Sequence, residues 1–184
     1  MRVISGTFKG RKLQASKDLS IRPTTDRVKE SIFNILQDFH RNKKVVDIFS
    51  GSGNLGIEAL SRGASHVCFV EKYQSSIKVL QKNIVHIGID SEFYTIINKS
   101  AEDYILLDHS DRQIYFLDPP FNFPQLQQLI NNLTQSEYFH SENLVVLEHE
   151  VSNPIETESL YYNTLKQKRM GRSFISFLEK RIQK

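Results

Sequence analysis

The chain of 184 residues has one cysteine, no tryptophan, five prolines and two methionines. A single thiol excludes an internal disulfide framework. Cys68 stands in the apolar run His66-Val67-Cys68-Phe69-Val70, which marks it as core rather than nucleophile. No apolar stretch approaches the roughly 18 residues that a membrane-crossing helix requires. The basic opening MRVISGTFKGRK has no apolar segment behind it, so a secretory leader is not expected and a cytoplasmic location is. Six histidines are present, but their spacing resembles no metal cage, and all are read as structural. Repeats and low-complexity tracts are also missing. What remains, 39% hydrophobic and 24% charged residues, is ordinary for a protein built around one core.

Charge is present but unevenly spread. Residues 1–44 carry a net +7, residues 45–160 a net −10 and residues 161–184 a net +6. Two basic ends around an acidic middle favour a polyanionic partner at the ends, because each phosphate contact by Lys or Arg also releases condensed counterions.

Short apolar runs alternate with amphipathic stretches, the pattern of an α/β sheet. Strands are expected at 45–49, 67–70, 93–97, 114–117 and 144–147, with a closing pair near 159–169 and 173–179. Helices are expected after the glycine turn at 51–56 as far as Gly63, over Ile77, Leu80, Ile84 and Ile87 up to Gly88, over 101–107 and over 124–133. Ahead of them, Arg2–Ser5 and Arg11–Leu13 predict a hairpin. Arg22-Pro23-Thr24-Thr25-Asp26 opens a helix with the apolar stripe Val28, Ile32, Ile35, Leu36 and Phe39. The expectation is a Rossmann-like, mostly parallel seven-stranded sheet with helices on both faces and a small N-terminal hairpin-helix appendage.

The segment Gly51-Ser52-Gly53-Asn54-Leu55-Gly56 has the spacing of a nucleotide-binding turn, yet such a turn also serves helix packing. Asp47, four residues upstream, decides what it suits. A carboxylate there repels a pyrophosphate and attracts a cation such as the sulfonium and ammonium of S-adenosylmethionine. Glu71, at the end of the second strand, can accept hydrogen bonds from ribose hydroxyls, a feature that nicotinamide enzymes share. Asp118-Pro119-Pro120-Phe121 follows the fourth strand. Consecutive prolines remove two amide donors, so this turn offers acceptors, and Phe121 can stack on an extruded base. Acceptors gripping the N–H bonds of an exocyclic amine leave its lone pair free to attack a sulfonium methyl. Catalysis would then be positioning and electrostatics.

These residues resemble the class I S-adenosylmethionine-dependent methyltransferases over 45–121. D-P-P-F is similar to the [DN]-P-P-[FY] motif of those that act on exocyclic amines. RVISG with KGRKL, then RPT with FNIL, then DIFSGSGNLGIEALSRGA and DPPF resemble, more narrowly, the RsmD family of 16S ribosomal RNA guanine-N2 methyltransferases. The resemblance implies methyl transfer to the N2 amine of a guanine in the small ribosomal subunit, by a monomer and without metal. It places Asp47, Phe49, Gly51 and Gly53 at the methionine end of the cofactor, Glu71 with Lys72 at the ribose, and Asp118, Pro119, Pro120 and Phe121 around the guanine. Where the family often has an acid for the adenine amine, this chain has Lys99-Ser100-Ala101-Glu102, so Ser100 or the backbone of Ser100 and Ala101 takes that place. Residues 1–40 become an RNA-contacting appendage, with Lys9, Arg11, Lys12 and Arg22 as phosphate contacts, and 41–184 the methyltransferase domain. Lys166, Lys168, Arg169 and Arg172 suit either RNA contact or a solvated strand edge. Arg27, Glu30 and Asn34 suit either the cleft border or a solvated helix face. The nearest alternative is a DNA adenine-N6 or cytosine-N4 methyltransferase, which needs the same acceptors.

Overall fold

A computed structural model describes residues 1–15, 24–120, 123–157 and 159–182. The strands are β1 (Lys44–Ile48), β2 (His66–Val70), β3 (Tyr94–Ile97), β4 (Ile114–Leu117), β5 (Leu144–Glu150), β6 (Tyr162–Met170) and β7 (Ser173–Lys180). The helices are α1 (Asp26–Leu36), α2 (Asn54–Ser61), α3 (Gln74–Ile87), α4 (Ala101–Tyr104) and α5 (Leu126–Gln135). The strands form one sheet in the order β3-β2-β1-β4-β5-β7-β6. Only β7 runs against its neighbours, β5 and β6. The expected Rossmann-like architecture is therefore present.

Period-two alternation along the strands sorts the core into two halves. Val45, Val67, Phe69, Ile114, Phe116, Val146, Ile175 and Phe177 pack with α1, α2 and α3. Val46, Ile48, Cys68, Val70, Tyr115, Leu117, Val145 and Leu147 pack with α4 and α5. Strand order reverses between β1 and β4, and right-handed crossovers then place the helices on opposite faces. In such sheets the reversal opens a crevice at the carboxyl ends of the strands. Alternation also decides which face the acids at those ends share. Asp47 lies two residues beyond Val45, Asp118 two beyond Phe116, and Glu148 two beyond Val146, all on the α1 side.

The N-terminal segment joins this core through buried Val3 and Leu13. The expected hairpin is reduced to one bridge, Arg2 to Lys12, with Val3 N–H donating to Arg11 O at 2.9 Å and Leu13 N–H to Met1 O at 3.0 Å. Gly10 N–H also donates across it to Val3 O at 2.9 Å, while the amides of Ile4 and Ser5 donate to Glu58 at 2.9 and 3.1 Å, and Thr7 N–H donates to Ser61 O at 2.8 Å. The hairpin is thereby docked on α2 at its turn.

Thr25 caps α1 by accepting from Val28 N–H at 3.3 Å. The helix ends at Leu36, with Gln37 at φ 48°. Phe39, expected on the apolar stripe, lies beyond this end, half exposed, with the Lys43 ammonium 3.4 Å over its ring. The third helix predicted over 101–107 stops at Tyr104, and Leu106 is exposed.

One ion pair ties these parts together. Lys29 and Glu58 are fully buried, with Nζ 3.3 Å from Oε2, and burial holds the Lys29 ammonium below its ordinary pKa while Glu58 opposes that shift. Glu58 also accepts from Arg62 Nε at 2.7 Å. Removing Lys29 leaves the buried Glu58 with Arg62 and two backbone amides but without its buried counter-charge. Lys29→Met should therefore destabilise the fold by about 3 kcal/mol in urea unfolding. A loss below about 1 kcal/mol, the range of an exposed pair, would contradict this account.

Candidate active site at the carboxyl ends of the strands

The glycine turn bends sharply where β1 ends. Phe49 is at φ 63°, Gly51 at 53° and Gly53 at 83°, a left-handed run that favours glycine. A Cβ on Gly53 would lie 2.4 Å from Leu80 Cδ1, and one on Gly56 would lie 2.3 Å from Phe69 Cε1. Those two glycines let α2 close onto α3 and β2. Gly51 serves a different end: a Cβ there would meet nothing nearer than Phe49 O at 3.9 Å, and Gly51 lines an open cleft.

Two carboxylates hold the turn from below. Asp47 is buried, and its Oδ2 accepts from Gly56 N–H at 2.9 Å in the first turn of α2. Glu71 accepts from Gly51 N–H and Tyr73 N–H, both at 2.8 Å. Burial pushes the Asp47 carboxyl up to about 8, the Gly56 amide opposes this, and the Asp118 and Glu71 charges add to it. Such a site favours a cation, which relieves the desolvated negative charge.

Across the cleft stands Asp118, whose Oδ2 accepts a short hydrogen bond from the Thr24 hydroxyl. Burial raises its pKa to about 6, and the Thr24 bond pulls the other way. Thr24 is itself anchored, for its carbonyl accepts from Asn54 Nδ2 at 2.8 Å, and Asn54 Oδ1 accepts from Lys29 Nζ at 2.9 Å. The chain of bonds thus runs from the buried ion pair to the Asp118 carboxylate. Pro119 and Pro120 follow along the cleft, and Glu148, Glu150, Met170 and Ser173 form the far wall. His149 contacts Asn153 O at 3.1 Å through Nδ1 and Ser176 Oγ at 3.0 Å through Nε2. A carbonyl can only accept, so Nδ1 carries the proton, and burial lowers the ring's pKa and keeps it neutral. Asn153 Nδ2 in turn donates to Phe123 O at 3.1 Å.

Of the residues singled out by sequence, Asp47, Phe49, Gly51, Glu71, Asp118, Pro119 and Pro120 line this one cleft. Gly53 shapes the turn without lining it. Lys72 is exposed, and its carbonyl accepts from Asn98 Nδ2 at 2.9 Å. Ser100 caps α4, accepting from Asp103 N–H at 3.1 Å, while Ala101 is buried in the core behind it. Neither lines the cleft. Phe121 and Arg22 lie outside the described residues. Lys9, Arg11 and Lys12 are exposed on the N-terminal segment, although Arg11 Nη1 donates to Ile87 O. Arg27, Glu30 and Asn34 are exposed and away from the cleft lining. Lys166, Lys168, Arg169 and Arg172 are exposed on β6 and its turn into β7, flanking Met170 and Ser173 at the cleft wall.

Sequence reasoning missed Lys29, Asn54, Glu58, Glu148 and Glu150, and used Thr24 only as a motif letter. One signal was available: Lys29 falls on the buried stripe of α1, four residues before Phe33 and seven before Leu36. A cation on an apolar stripe implies a buried partner.

Sheet order, glycine turn and acid-lined crevice together define a class I methyltransferase fold. Solved structures agree: the putative methyltransferase yhhF from Escherichia coli is 31% identical with TM-score 0.86, covering 100% of this chain and 99% of that one. An RNA methyltransferase from Salinibacter ruber in complex with S-adenosyl-L-homocysteine shares the fold at 15% identity and TM-score 0.66, covering 85% of this chain and 92% of that one. The family model Conserved hypothetical protein 95 matches residues 1–179. "Ribosomal RNA small subunit methyltransferase D" of Haemophilus influenzae is 36% identical over 173 residues, 93% of this chain and 89% of its relative. The chain belongs to this family, and the kinship with RsmD expected from its motifs holds.

The buried acids make stability depend on pH. Asp47 and Asp118 bind protons more tightly folded than unfolded, so their contribution is full below the unfolded value of 3.8 and is lost as pH rises through about 6 and about 8. Burial of His40, His66, His109 and His149 lowers their pKa values and works in the opposite direction, so the difference between protein and variant isolates the acid: Asp47→Asn should gain in melting temperature relative to the unaltered ligand-free protein as pH goes from 5.5 to 8. A gap between the two that stays constant over that range would contradict the assignment.

Proposed function

We propose that the chain transfers the methyl group of S-adenosylmethionine to the N2 amine of a guanine in 16S ribosomal RNA. The observation that carries this reading is one cleft with the acid-held glycine turn on one side and Asp118-Pro119-Pro120 on the other. The relatives named as ribosomal RNA methyltransferases favour ribosomal RNA over DNA as the substrate.

The residues present fit the cofactor. Gly51 leaves open space beside the turn, and the acids Asp47, Glu71 and Asp118 suit a cationic ligand, which would drive the proton off Asp47 as it binds. When bound, S-adenosylmethionine supplies an electrophilic methyl on a sulfonium. The chain's part is to hold the attacking amine in line with that methyl. The Asp118 carboxylate and the carbonyls of the proline turn accept the amine's N–H bonds, which keeps the nitrogen lone pair directed at carbon. As the N–C bond forms and the C–S bond breaks, the amine nitrogen becomes cationic. Asp118 stabilises that charge and takes one proton, which then passes to solvent. The raised pKa of Asp118 suits brief proton acceptance. Thr24 keeps the carboxylate in place through its hydroxyl.

Lys9 and Lys12 of the N-terminal segment supply phosphate contacts, and Arg22 extends that set. Adenine recognition falls to the backbone at Ser100 and Ala101, or to the Ser100 hydroxyl proton, since that oxygen is already engaged by Asp103.

Incubation with methyl-labelled S-adenosylmethionine and small subunits lacking the modification should yield labelled N2-methylguanine in the 16S digest. Asp118→Ala should lower the rate at least about 100-fold, while S-adenosylhomocysteine still raises the variant's melting temperature. Absence of N2-methylguanine with the unaltered protein, or full activity in the variant, would refute the proposal.

A further inference from the structure

We infer that Lys166, Lys168 and Arg169 of β6, with Arg172 of the turn that follows, form a second RNA-binding surface, which holds phosphates of the strand flanking the target nucleotide. This surface rests on the proposed function and says where its substrate lies outside the cleft.

The sheet register aims the two lysines. Among the described residues β6 is the outer strand, and it runs in the direction of β5. Its last residue, Met170, is therefore at the carboxyl end of the sheet, beside the cleft. Residues paired across an antiparallel ladder share a face. Lys166 pairs with Phe177 and Lys168 with Ile175, and both partners belong to the core on the α1 side. Met170, two residues beyond Lys168, faces the same way, packs against that core and lines the cleft. Glu148, another lining residue, also pairs with Ile175. Lys168 thus stands two strands from the cleft wall, about 10 Å away.

Charge along β6 follows the cleft. Residues 162–165 carry none, whereas residues 166–172 carry four cations and no acid. Lysine on an outer strand also deters pairing with another chain, but that duty calls for charge along the whole strand, and here it gathers at one end. All four cations are exposed. Arg169 Nε donates to Gly171 O at 3.2 Å, which ties that side chain to the turn. The cleft itself is lined by Asp47, Glu71, Asp118, Glu148 and Glu150, a composition that suits an amine or a cationic cofactor and not a phosphate. A nucleotide whose base enters such a cleft leaves its phosphates at the margin, where positive charge holds them. Met1 and Met170 both line the cleft, so both basic ends of the sequence reach the margin of one acidic opening.

Equilibrium binding to small subunits lacking the modification separates an RNA surface from a guarded strand edge. Lys166→Gln combined with Lys168→Gln should weaken binding about 10-fold and lower the slope of log affinity against log salt by about 1.4 for two single-strand contacts. S-adenosylhomocysteine should still raise that variant's melting temperature. Lys166→Arg combined with Lys168→Arg should bind as the unaltered protein does, because either cation meets a phosphate. Crosslinking tests the placement. Cys68 is the one cysteine and is buried, so Lys168→Cys offers a single surface thiol for a photoreactive group. Its crosslinks should fall on 16S ribosomal RNA within a few nucleotides of the methylated guanine. Unchanged affinity and salt slope in the glutamine variant, or crosslinks to a ribosomal protein or to distant nucleotides, overturn the inference and leave the proposed function intact. A weakened glutamine variant alongside an unaltered protein that makes no N2-methylguanine upholds the surface and refutes the proposed function. No binding of small subunits or of their RNA by the unaltered protein sinks both.

Discussion

The burial of the Asp47 carboxylate beneath the glycine turn is the constraint on which the rest of the site depends. It costs stability, because a desolvated carboxylate at the end of β1 sets the hydrogen bond from the Gly56 amide against burial. It persists in a fold that packs every other inward position of β1 with valine or isoleucine. Strain and desolvation of this kind, held in place by a well-packed surround, accumulate where a ligand will relieve them. Glu71 adds a second carboxylate under the same turn and orders it through Gly51, so the turn is prepared for a cation before one arrives.

The opposite side of the cleft is prepared from the N-terminus. Residues 4 and 5 are pinned to α2 by Glu58, Glu58 holds Lys29, and Lys29 and Asn54 fix Thr24 over Asp118. A segment rich in exposed basic residues is in this way continuous with the Asp118 carboxylate in the cleft. Burying charge in the chain of contacts adds no net stability over an apolar core of the same shape. It does supply direction, because each member has one geometry in which its partners are satisfied.

Much of this was legible in the sequence. Runs of alternating valine, isoleucine and phenylalanine gave the strands, because a sheet buried on both faces leaves few positions open to polar residues. The residues lining the cleft were legible where a side chain's chemistry determines its use, as for Asp47, Glu71 and Asp118. Gly53 shows the limit. The motif's letters do not distinguish a glycine that faces a ligand from one needed for its backbone angle and for contact with Leu80. Lys29 and Glu58 are 29 positions apart, and no local pattern pairs them. Glu148 was hidden for a related reason: only the pairing of β4 with β5 brings it to the same cleft as Asp118. The N-terminal hairpin was legible too, but its docking on α2 through Glu58 and Ser61 was not, because propensity describes a segment alone.

A buried acid at the turn selects a cation, and proton release on binding reads that selection out. Near pH 7 the Asp47 carboxyl is mostly protonated in the free protein, and a bound cation should drive that proton off. Calorimetric titration with S-adenosylmethionine in buffers of differing ionisation enthalpy should give release of up to about one proton per cofactor, largely abolished in Asp47→Asn. Binding without net proton release, or release unaffected by that substitution, would contradict the account.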